Sequence, residues 1–280
     1  MSGSRRSLTS VLVGTPSDGK QVPLCRSVFV PRGATTWGDS SGRSHERGAF
    51  FTVAPASGGM HVVVNAAMSA DGKLSSRRRE QLAISGDEDF ARVDRLRAKS
   101  DAIVVGVGTV LADDPHLTVK DDALRERRRD DGRPASPARV VVDSSGRTPT
   151  DAAVLDDAAT TYLCLSEAAP VDRRLALAEH AELLTAGDDR VDLLRAFGAL
   201  QEQGLERIMV EGGGELIFSL FEAGLVDELR TFVGPTLIGG RDAPTLADGE
   251  GFVAAFPTLE LDAVDRLDGG VLLTWKTNDR

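Results

Sequence analysis

The stretch Val210-Glu211-Gly212-Gly213-Gly214-Glu215-Leu216 decides how this sequence is interpreted. An apolar run at residues 207–210 precedes the three glycines, and an amphipathic run at residues 216–221 follows them. A strand that turns through glycines into a helix directs free backbone N–H groups and the positive end of the helix dipole towards an anion. Glycines also occur at many ordinary strand-to-helix junctions. The stretch therefore predicts either a phosphate-binding turn or a plain structural turn.

Short apolar runs alternate with helical patterns upstream of this stretch. The predicted strands cover residues 61–65, 102–105, 139–143, 161–165, 181–184 and 207–210, and the predicted helices cover residues 87–98, 172–179 and 191–203. This alternation indicates an α/β fold with a mainly parallel central sheet flanked by helices. Ser85 and Glu88 form a capping-box pattern at the start of the first helix. Residues 227–235 and 271–274 break the alternation and predict antiparallel C-terminal strands at one edge of the sheet.

The first 59 residues differ in composition from the rest of the chain. They contain seven Lys and Arg against three Asp and Glu, and only residues 27–30 and 49–53 have a strand-like pattern. Low periodic hydrophobicity of this kind is typical of a flexible arm. We therefore expect residues 60–280 to form the folded domain. Because Met60 directly precedes the first strand, the alternative is that Met60 is the natural start and the extension is mis-annotated. Mass spectrometry of the native N-terminus would distinguish the two.

Charge and cysteine content exclude several classes of protein. A net charge of −10 disfavours nucleic acid as a partner, because binding it requires clustered Lys and Arg that exceed their acidic neighbours. Cys25 and Cys164 lie far apart, with no Cys or His at ligand spacing, which disfavours a structural metal site. The sequence predicts no membrane-spanning run and no signal peptide. We expect a cytoplasmic protein.

The basic residues of the chain are almost all arginine. The chain contains 28 Asp and 15 Glu against 28 Arg and only 5 Lys. A strongly hydrated acidic surface suits a halophilic protein. The alternative is a GC-rich genome, which favours Arg over Lys without adaptation to salt.

A second glycine-rich turn, Gly106-Val107-Gly108-Thr109, follows the predicted strand at residues 102–105. Its glycines permit close approach of the backbone, and Thr109 offers a hydroxyl group. Because parallel strands end at one edge of a sheet, the two glycine turns predict a phosphate-bearing ligand lying across that edge. The sequence lacks both the Rossmann dinucleotide fingerprint and the ATP-binding phosphate loop.

Two other segments have both a structural and a functional interpretation. Asp71-Gly72 indicates a turn after the first strand, and either this turn is structural or Ser69, Asp71 and Lys73 face a ligand. Arg97 is either a surface charge on the first helix or a bidentate ligand for a substrate phosphate. From the residues alone, the surface interpretation of Arg97 is favoured.

Five motifs together carry a family resemblance. They are NAAMSADGK (65–73), LRAKSDAIVVGVGTVLADDPHLTV (96–119), RVVVDS (139–144), VEGGG (210–214) and GLVDE (224–228). In this order and spacing, from residue 60 to about residue 252, the chain resembles the reductases of riboflavin biosynthesis. It is most similar to the archaeal and fungal branch, the 2,5-diamino-6-ribosylamino-4(3H)-pyrimidinone 5′-phosphate reductases. The bacterial counterpart is the C-terminal half of a bifunctional deaminase-reductase.

The resemblance implies a dihydrofolate-reductase-like fold, NADPH as the hydride donor and a homodimer, with NADH left open as an alternative. It also implies the reaction: the ribosyl ring of a phosphorylated pyrimidine opens to an imine, and hydride transfer to C1′ gives a ribitylamino product. Matching positions that would contact the cofactor are Ser75, Thr109, Asp113, Ser144, Gly213, Gly214, Glu215 and Leu216. Those that would contact the substrate are Arg97, Leu117, Lys120 and Glu211.

Glu211 and Asp71 are the candidate catalytic residues, which would orient the ribityl chain or supply a proton to the imine nitrogen. Glu211 is preferred because it closes a strand beside the cofactor turn. The chain departs from the bacterial pattern at Asn65, where bacterial enzymes have lysine, and at Lys120, where they have arginine. The zinc deaminase signature is absent from residues 1–59.

Three other functions are weighed against this interpretation. A true dihydrofolate reductase would share the fold and cofactor but lack the Glu211 glycine motif. A non-catalytic nucleotide-binding protein would lose the substrate contacts, all of which this chain retains. A paralogous reductase acting on another pyrimidine or a pterin is the alternative that stays open, because fold and cofactor site say little about the substrate.

Overall fold

The computed structural model describes residues 59–80 and 82–278. Predictions for the N-terminal extension, including its two strand-like runs, lie outside the described residues except at residue 59. Within the described part of the chain, no helix combines the length and apolar character needed to cross a membrane.

A mainly parallel sheet is the centre of the described structure, with nine strands in the order β5-β4-β3-β2-β6-β1-β7-β9-β8. The strands are β1 (His61–Ser69), β2 (Ala102–Gly106), β3 (Ala138–Val142), β4 (Thr161–Leu165), β5 (Glu182–Thr185), β6 (Arg207–Gly212), β7 (Glu228–Gly234), β8 (Leu259–Leu267) and β9 (Gly270–Thr277). The helices are α1 (Asp87–Lys99), α2 (Val107–Asp113), α3 (Asp122–Asp130), α4 (Val171–Ala178), α5 (Leu193–Glu202) and α6 (Gly214–Glu222). The predicted fold class, including antiparallel C-terminal strands, is confirmed.

Side chains on the two faces of the sheet pack against different helices. One face packs against α5 and α6 through Phe197, Ile217 and Leu220, which are at most 2% exposed. The opposite face packs against α1, α2 and α4. Strands buried on both faces are nearly continuous apolar runs, which is why periodicity located the parallel strands. Cys164 of β4 is fully buried in this core, and burial raises the pKa of its thiol to about 12.

Residues 227–235 contain β7, which is antiparallel to β9 as predicted and also pairs in parallel with β1. Parallel strands need a long crossover connection, and α6 supplies it between β6 and β7. Pairing with β7 also extends β1 to Ser69, four residues beyond the predicted end.

Two helices and one strand were not predicted. The second glycine turn continues directly into α2, and the charged run at residues 122–130 forms α3. Helix α3 lacks an apolar stripe, so periodicity could not reveal it. Strand β8 forms the outer edge of the sheet, where most of its residues are exposed.

The capping box predicted for α1 is wrong. The N-cap residue is Gly86, and no side chain within the helix segment caps it. Instead, the carboxylate of Asp268, in the turn between β8 and β9, accepts hydrogen bonds from the backbone N–H groups of Gly86, Glu88 and Asp89 at 3.1, 3.3 and 2.7 Å. A Cβ on residue 86 would lie 2.7 Å from Asp268 Oδ1, so glycine allows this approach. The C-terminal hairpin therefore fixes the start of α1.

Candidate active site

A cavity of about 730 Å³ lies where parallel strands β1, β2, β3 and β6 end. The order of the sheet places β6 between β1 and β2, which brings the two glycine turns to adjacent strands. Among the predicted site residues, those lining the cavity are Ser75, Thr109, Asp113, Ser144, Glu211, Gly213, Gly214, Glu215 and Leu216. The structure therefore brings all eight predicted cofactor positions and one predicted substrate position to a single cleft.

The glycine turn at the end of β6 forms one wall of this cleft. Gly213 is the N-cap of α6, and no side chain caps the helix, so the first-turn N–H groups have no side-chain acceptor. The peptide bond between Gly212 and Gly213 is cis. The two glycine turns meet here, because the position of a Cβ on Gly213 would be in van der Waals contact with Thr109 Oγ1, at 3.4 Å. Backbone donors beside a hydroxyl group fit a dinucleotide phosphate.

Gly214 is required by packing on the other side of the turn. A Cβ there would lie 2.5 Å from the carbonyl oxygen of Thr245 and 2.7 Å from Asp248 Oδ2. The backbone N–H of Asp248 also donates to the Gly214 carbonyl oxygen at 3.1 Å. The segment around Asp248 therefore holds the start of α6 in place beside the cavity.

Ser144, Ser75 and Asp113 line the cavity from other loops. Ser144 Oγ accepts a hydrogen bond from the Val191 N–H at 3.0 Å, which ties the loop after β3 to the loop after β5. Ser75 Oγ donates to the carbonyl oxygen of Ser76 at 3.3 Å. Asp113 ends α2 with one side towards solvent, and its partial burial raises the pKa of its carboxyl group.

Four arginines of the cavity wall were not predicted as site residues: Arg79, Arg147, Arg190 and Arg241. They come from four separate loops, so no periodicity or motif linked them. The best sequence indication of an arginine at this site was the Ser144-Ser145-Gly146-Arg147 turn, because it directly follows a buried strand. The same wall also carries six acidic residues, so the arginines are local cationic positions in a lining of mixed charge: Asp113, Asp189, Glu211, Glu215, Asp242 and Asp248.

Glu211 forms a bidentate ion pair with Arg97 at the side of the cleft that faces α1. Arg97 Nε and Nη2 donate to the two carboxylate oxygens at 2.7 and 2.6 Å, and the two side chains are 16% and 12% exposed. Burial alone would lower the pKa of Arg97, but the charge and hydrogen bonds of Glu211, with the charge of Asp94, raise it above its usual value. Arg97 thus lies behind Glu211 and does not line the cavity.

Helix α1 also fixes the segment that contains Leu117 and Lys120. Asp94 accepts hydrogen bonds from the backbone N–H groups of Lys120 and Asp121, the shorter to each being 2.8 and 2.7 Å. Arg97 Nη1 donates to the Thr118 carbonyl oxygen at 3.0 Å. Leu117 is buried, with a positive φ of 49°, whereas Lys120 is exposed. Neither side chain lines the cavity, but both lie on the segment that α1 holds.

Asp71 lies in the loop after β1, outside the cavity lining. Its carboxylate accepts hydrogen bonds from Ser69 Oγ at 2.6 Å and from the backbone N–H groups of Ile238 and Gly239 at 3.0 and 2.7 Å. These bonds, the one from Ser69 foremost, lower the pKa of Asp71 to about 2. Lys73 Nζ donates to the Ala243 carbonyl oxygen at 3.1 Å. Of the two interpretations of this loop, the geometry favours the structural one.

Comparison with known proteins agrees with this architecture. Residues 60–273 match the family model described as the RibD C-terminal domain. The chain is 48% identical over 218 residues to a 2,5-diamino-6-ribosylamino-4(3H)-pyrimidinone 5′-phosphate reductase of Archaeoglobus fulgidus, an alignment that covers 78% of this chain and 98% of the relative. It is also 48% identical over 192 residues to a protein of the same name from Methanothermobacter thermautotrophicus, covering 68% and 85%.

The fold is similar to that of a solved pyrimidine reductase-like protein from Corynebacterium diphtheriae. The TM-score is 0.70 at 19% identity, with 79% of this chain and 93% of the other covered. At this identity the likeness concerns the fold alone. The family match spans most of the chain and includes every residue of the cleft described above. The chain belongs to the RibD C-terminal domain family.

Proposed function

We propose that this protein reduces the ribosylamino group of 2,5-diamino-6-ribosylamino-4(3H)-pyrimidinone 5′-phosphate to a ribitylamino group in riboflavin biosynthesis, with NADPH as the donor. The observation that carries the proposal is the cleft itself. One wall is a glycine turn suited to a dinucleotide, and Glu211, held from behind by Arg97, lines the side that faces α1. The two archaeal relatives at 48% identity bear the name of this reaction's substrate.

The bound cofactor would supply the hydride. The protein's own residues bind and orient the ligands. The N–H groups at the start of α6 and the hydroxyl of Thr109 would hold the dinucleotide at the glycine turn. The segment that α1 fixes would hold the substrate phosphate through the Lys120 ammonium group.

Glu211 orients the sugar of the substrate. Its carboxylate accepts two hydrogen bonds from Arg97 and has further lone pairs that can accept from sugar hydroxyl groups. Asp71, with its depressed pKa, anchors the loop after β1 and supplies no proton near neutral pH. Solvent water is then the source of the proton for the imine nitrogen.

The proposed preference for NADPH over NADH rests on two arginines of the cavity wall. Arg147 and Arg190 line the cavity, and within the described part of the chain neither guanidinium group makes a hydrogen bond, although Arg147 Nε lies 4.0 Å from the Asp143 carboxylate. Arginine is well suited to bind the additional 2′-phosphate of NADPH. Replacing both with alanine should raise the KM for NADPH at least about tenfold and leave the KM for NADH within about twofold. Arg127→Ala, at an exposed position on α3, is the matched control.

A direct assay tests the proposed reaction. The purified protein is mixed with NADPH and the ribosylaminopyrimidinone phosphate at low and high salt, and NADPH absorbance is followed. We expect substrate-dependent oxidation and a product that has gained two hydrogen atoms, measured by mass spectrometry. No oxidation at either salt concentration would overturn the proposal. Oxidation with dihydrofolate or another pterin in place of the pyrimidine would support the paralogous reductase instead.

The resemblance to the family is also the support for a homodimer that acts in the cytoplasm. Sedimentation equilibrium of the purified protein tests the dimer. A single species of monomer mass at micromolar concentration would contradict it.

A further inference from the structure

A second buried polar chain lies next to the Arg97–Glu211 pair and plays no part in the function proposed above. Arg92 Nε donates to Asp89 Oδ1 at 2.8 Å, and Arg92 Nη2 donates to Asn65 Oδ1 at 2.7 Å. Asp89 is 2% and Asn65 is 7% exposed. Burial of a charged pair and an amide is costly, and apolar residues of similar size would often pack there with greater stability. This cost favours a role beyond packing.

Arg92 determines which way the Asn65 amide faces. A guanidinium group only donates hydrogen bonds, so the amide atom that meets it must be the oxygen. The Asn65 NH₂ group is therefore directed away from Arg92. It makes no hydrogen bond to any residue that the structure describes, although the amide oxygen is fixed at 2.7 Å. Asn65 thus retains two unused donors in a defined direction.

Contacts with α1 place these donors on the same side of the sheet as Glu211. Val64 of β1 pairs with Val210 of β6, and Asn65 and Glu211 are the residues that follow this last pair on the two neighbouring strands. Both side chains lie on the face that α1 covers, because Asn65 contacts Arg92 and Glu211 contacts Arg97. Ala66 and Ala67, which follow Asn65 in β1, line the cavity together with Glu211. The Asn65 amide therefore lies next to strand residues that line the cavity, on the same face as the Glu211 carboxylate.

The far end of the polar chain is also fixed. The backbone N–H of Asp89, whose carboxylate holds Arg92, donates to Asp268 Oδ2 at 2.7 Å. A continuous series of hydrogen bonds therefore runs from the C-terminal hairpin through Asp89 and Arg92 to Asn65. Both residues that Arg92 contacts lie in regular structure, Asp89 in α1 and Asn65 in β1. Such anchoring is what holds a binding group in one orientation.

We propose that Arg92 is a positioning residue that fixes Asn65, so that the Asn65 NH₂ group donates to an acceptor atom of the bound substrate beside Glu211. The inference rests on the proposed function, because it assigns the substrate to this side of the cleft. Cofactor binding, at the glycine turn of β6, is independent of Arg92. The two ligands therefore separate a positioning role from general damage to the fold.

The decisive variant is Asn65→Asp. It retains an acceptor for Arg92, and strengthens that contact into an ion pair, but it removes the NH₂ donors. We expect the KM for the pyrimidine substrate to rise at least about tenfold, while the KM for NADPH and the melting temperature stay near wild type. Arg92→Met should raise the same KM, and Arg92→Lys should restore part of the loss, since one ammonium group can still donate to Asn65. Arg95→Met, at an exposed position of α1, is the matched control.

The outcomes separate the two proposals. A wild-type protein that does not oxidise NADPH with this substrate overturns the proposed function, and the inference with it. An active wild type whose Asn65→Asp variant keeps the wild-type KM overturns the inference alone. A parallel rise of both KM values in Arg92→Met, together with a lower melting temperature, would show a purely structural role and overturn it as well.

Discussion

At the scale of single residues, the Arg97–Glu211 pair joins α1 to the end of β6 within the cleft. Each partner is largely buried, so removal of either one would leave a buried charge without its counter-charge. The pair can therefore hold its geometry in the absence of ligand, which places a carboxylate beside the cofactor turn before substrate binds. Orientation prepared in this way lowers the barrier of the reaction without requiring movement at the moment of transfer.

Glu211→Gln tests this role with little change of shape. The amide can accept from Arg97 through one oxygen only, and the charge is lost. We expect kcat/KM for the pyrimidine substrate to fall about a hundredfold, with NADPH binding unchanged, as measured by NADPH absorbance and by fluorescence titration of the cofactor. Glu222→Gln, at an exposed position of α6, is the control. Full retention of both kcat and KM would show that Glu211 has no such role.

Asp71 makes a prediction about acid stability. Its folded pKa of about 2 lies below the ordinary value of 3.8, so the ionised carboxylate contributes stability that is fully present above about pH 4. The contribution is lost as the pH falls from there towards 2. We expect Asp71→Asn to be less stable than wild type at pH 6 in urea unfolding, with the difference shrinking as the pH is lowered through this window. Asp157→Asn, at an exposed position, should show no such trend. A difference that persists unchanged at pH 2.5 would contradict the assignment.

Sequence motifs located the glycine and hydroxyl residues of the cleft wall, but they did not locate its arginines. Glycines and hydroxyl residues after apolar strands have a position that the fold dictates, so Thr109, Ser144 and Gly213 could be assigned to one edge. The arginines of the wall could not be foreseen, because Arg147 and Arg190 belong to loops whose approach depends on tertiary contacts such as that of Ser144 with Val191. Nor could sequence show that the partner of Arg97 is Glu211, 114 residues away.

At the scale of elements, α1 is the organiser of the substrate side. It supplies Arg92, Asp94 and Arg97, which contact β1, the segment at residues 117–121 and β6. Its N-terminus is capped from the C-terminal hairpin through Asp268. The position of a helix that touches so many parts of the cleft depends on both its ends.

The cap of α1 can be tested against the capping box that the sequence suggested. Asp268→Ala removes the acceptor for three backbone N–H groups, and we expect a loss of about 1 kcal/mol in the free energy of unfolding by urea. Ser85→Ala removes the hydroxyl of the sequence pattern and should change that free energy by no more than about 0.5 kcal/mol. A larger cost for Ser85→Ala than for Asp268→Ala would refute the observed cap.

The elements that sequence located are those with a strong apolar pattern. Strand β4 was placed at both ends, and the helical run before β6 was placed to within two residues of α5. The misses have distinct causes. Helix α3 has no apolar stripe, β8 is an edge strand with little burial, and the parallel pairing of β7 with β1 depends on the crossover through α6. Local patterns carry no information on which strand a segment will join.

At the scale of the whole molecule, a net charge of −10 accompanies a cleft whose lining combines four arginines with six acidic residues. A net negative charge repels the phosphorylated ligands that the proposed reaction needs, and the arginines can attract those ligands locally. Salt weakens the long-range repulsion first, because exposed charges are screened over a Debye length of about 10 Å at 0.1 M ionic strength. The buried Arg97–Glu211 pair is screened much less.

The halophilic interpretation predicts a specific dependence on salt. Screening of repulsion between surface charges is largely complete by about 0.5 M KCl. If the acidic surface is an adaptation to high salt, the melting temperature should continue to rise between about 1 and 3 M KCl, as measured by differential scanning calorimetry. A plateau above about 0.5 M would favour the compositional explanation, a GC-rich genome. Sucrose at matched osmolality controls for general solvent exclusion.

The buried thiol of Cys164 can report how often the sheet around β4 opens. Strand β4 is paired on both edges, with β3 and β5, and the raised pKa leaves almost no reactive thiolate in the closed state. The sequence contains one other cysteine, Cys25, which Cys25→Ser removes. Labelling of the remaining thiol by a disulfide reagent then occurs only from opened molecules. Its rate in native buffer measures how often the parallel half of the sheet comes apart, one opening event at a time.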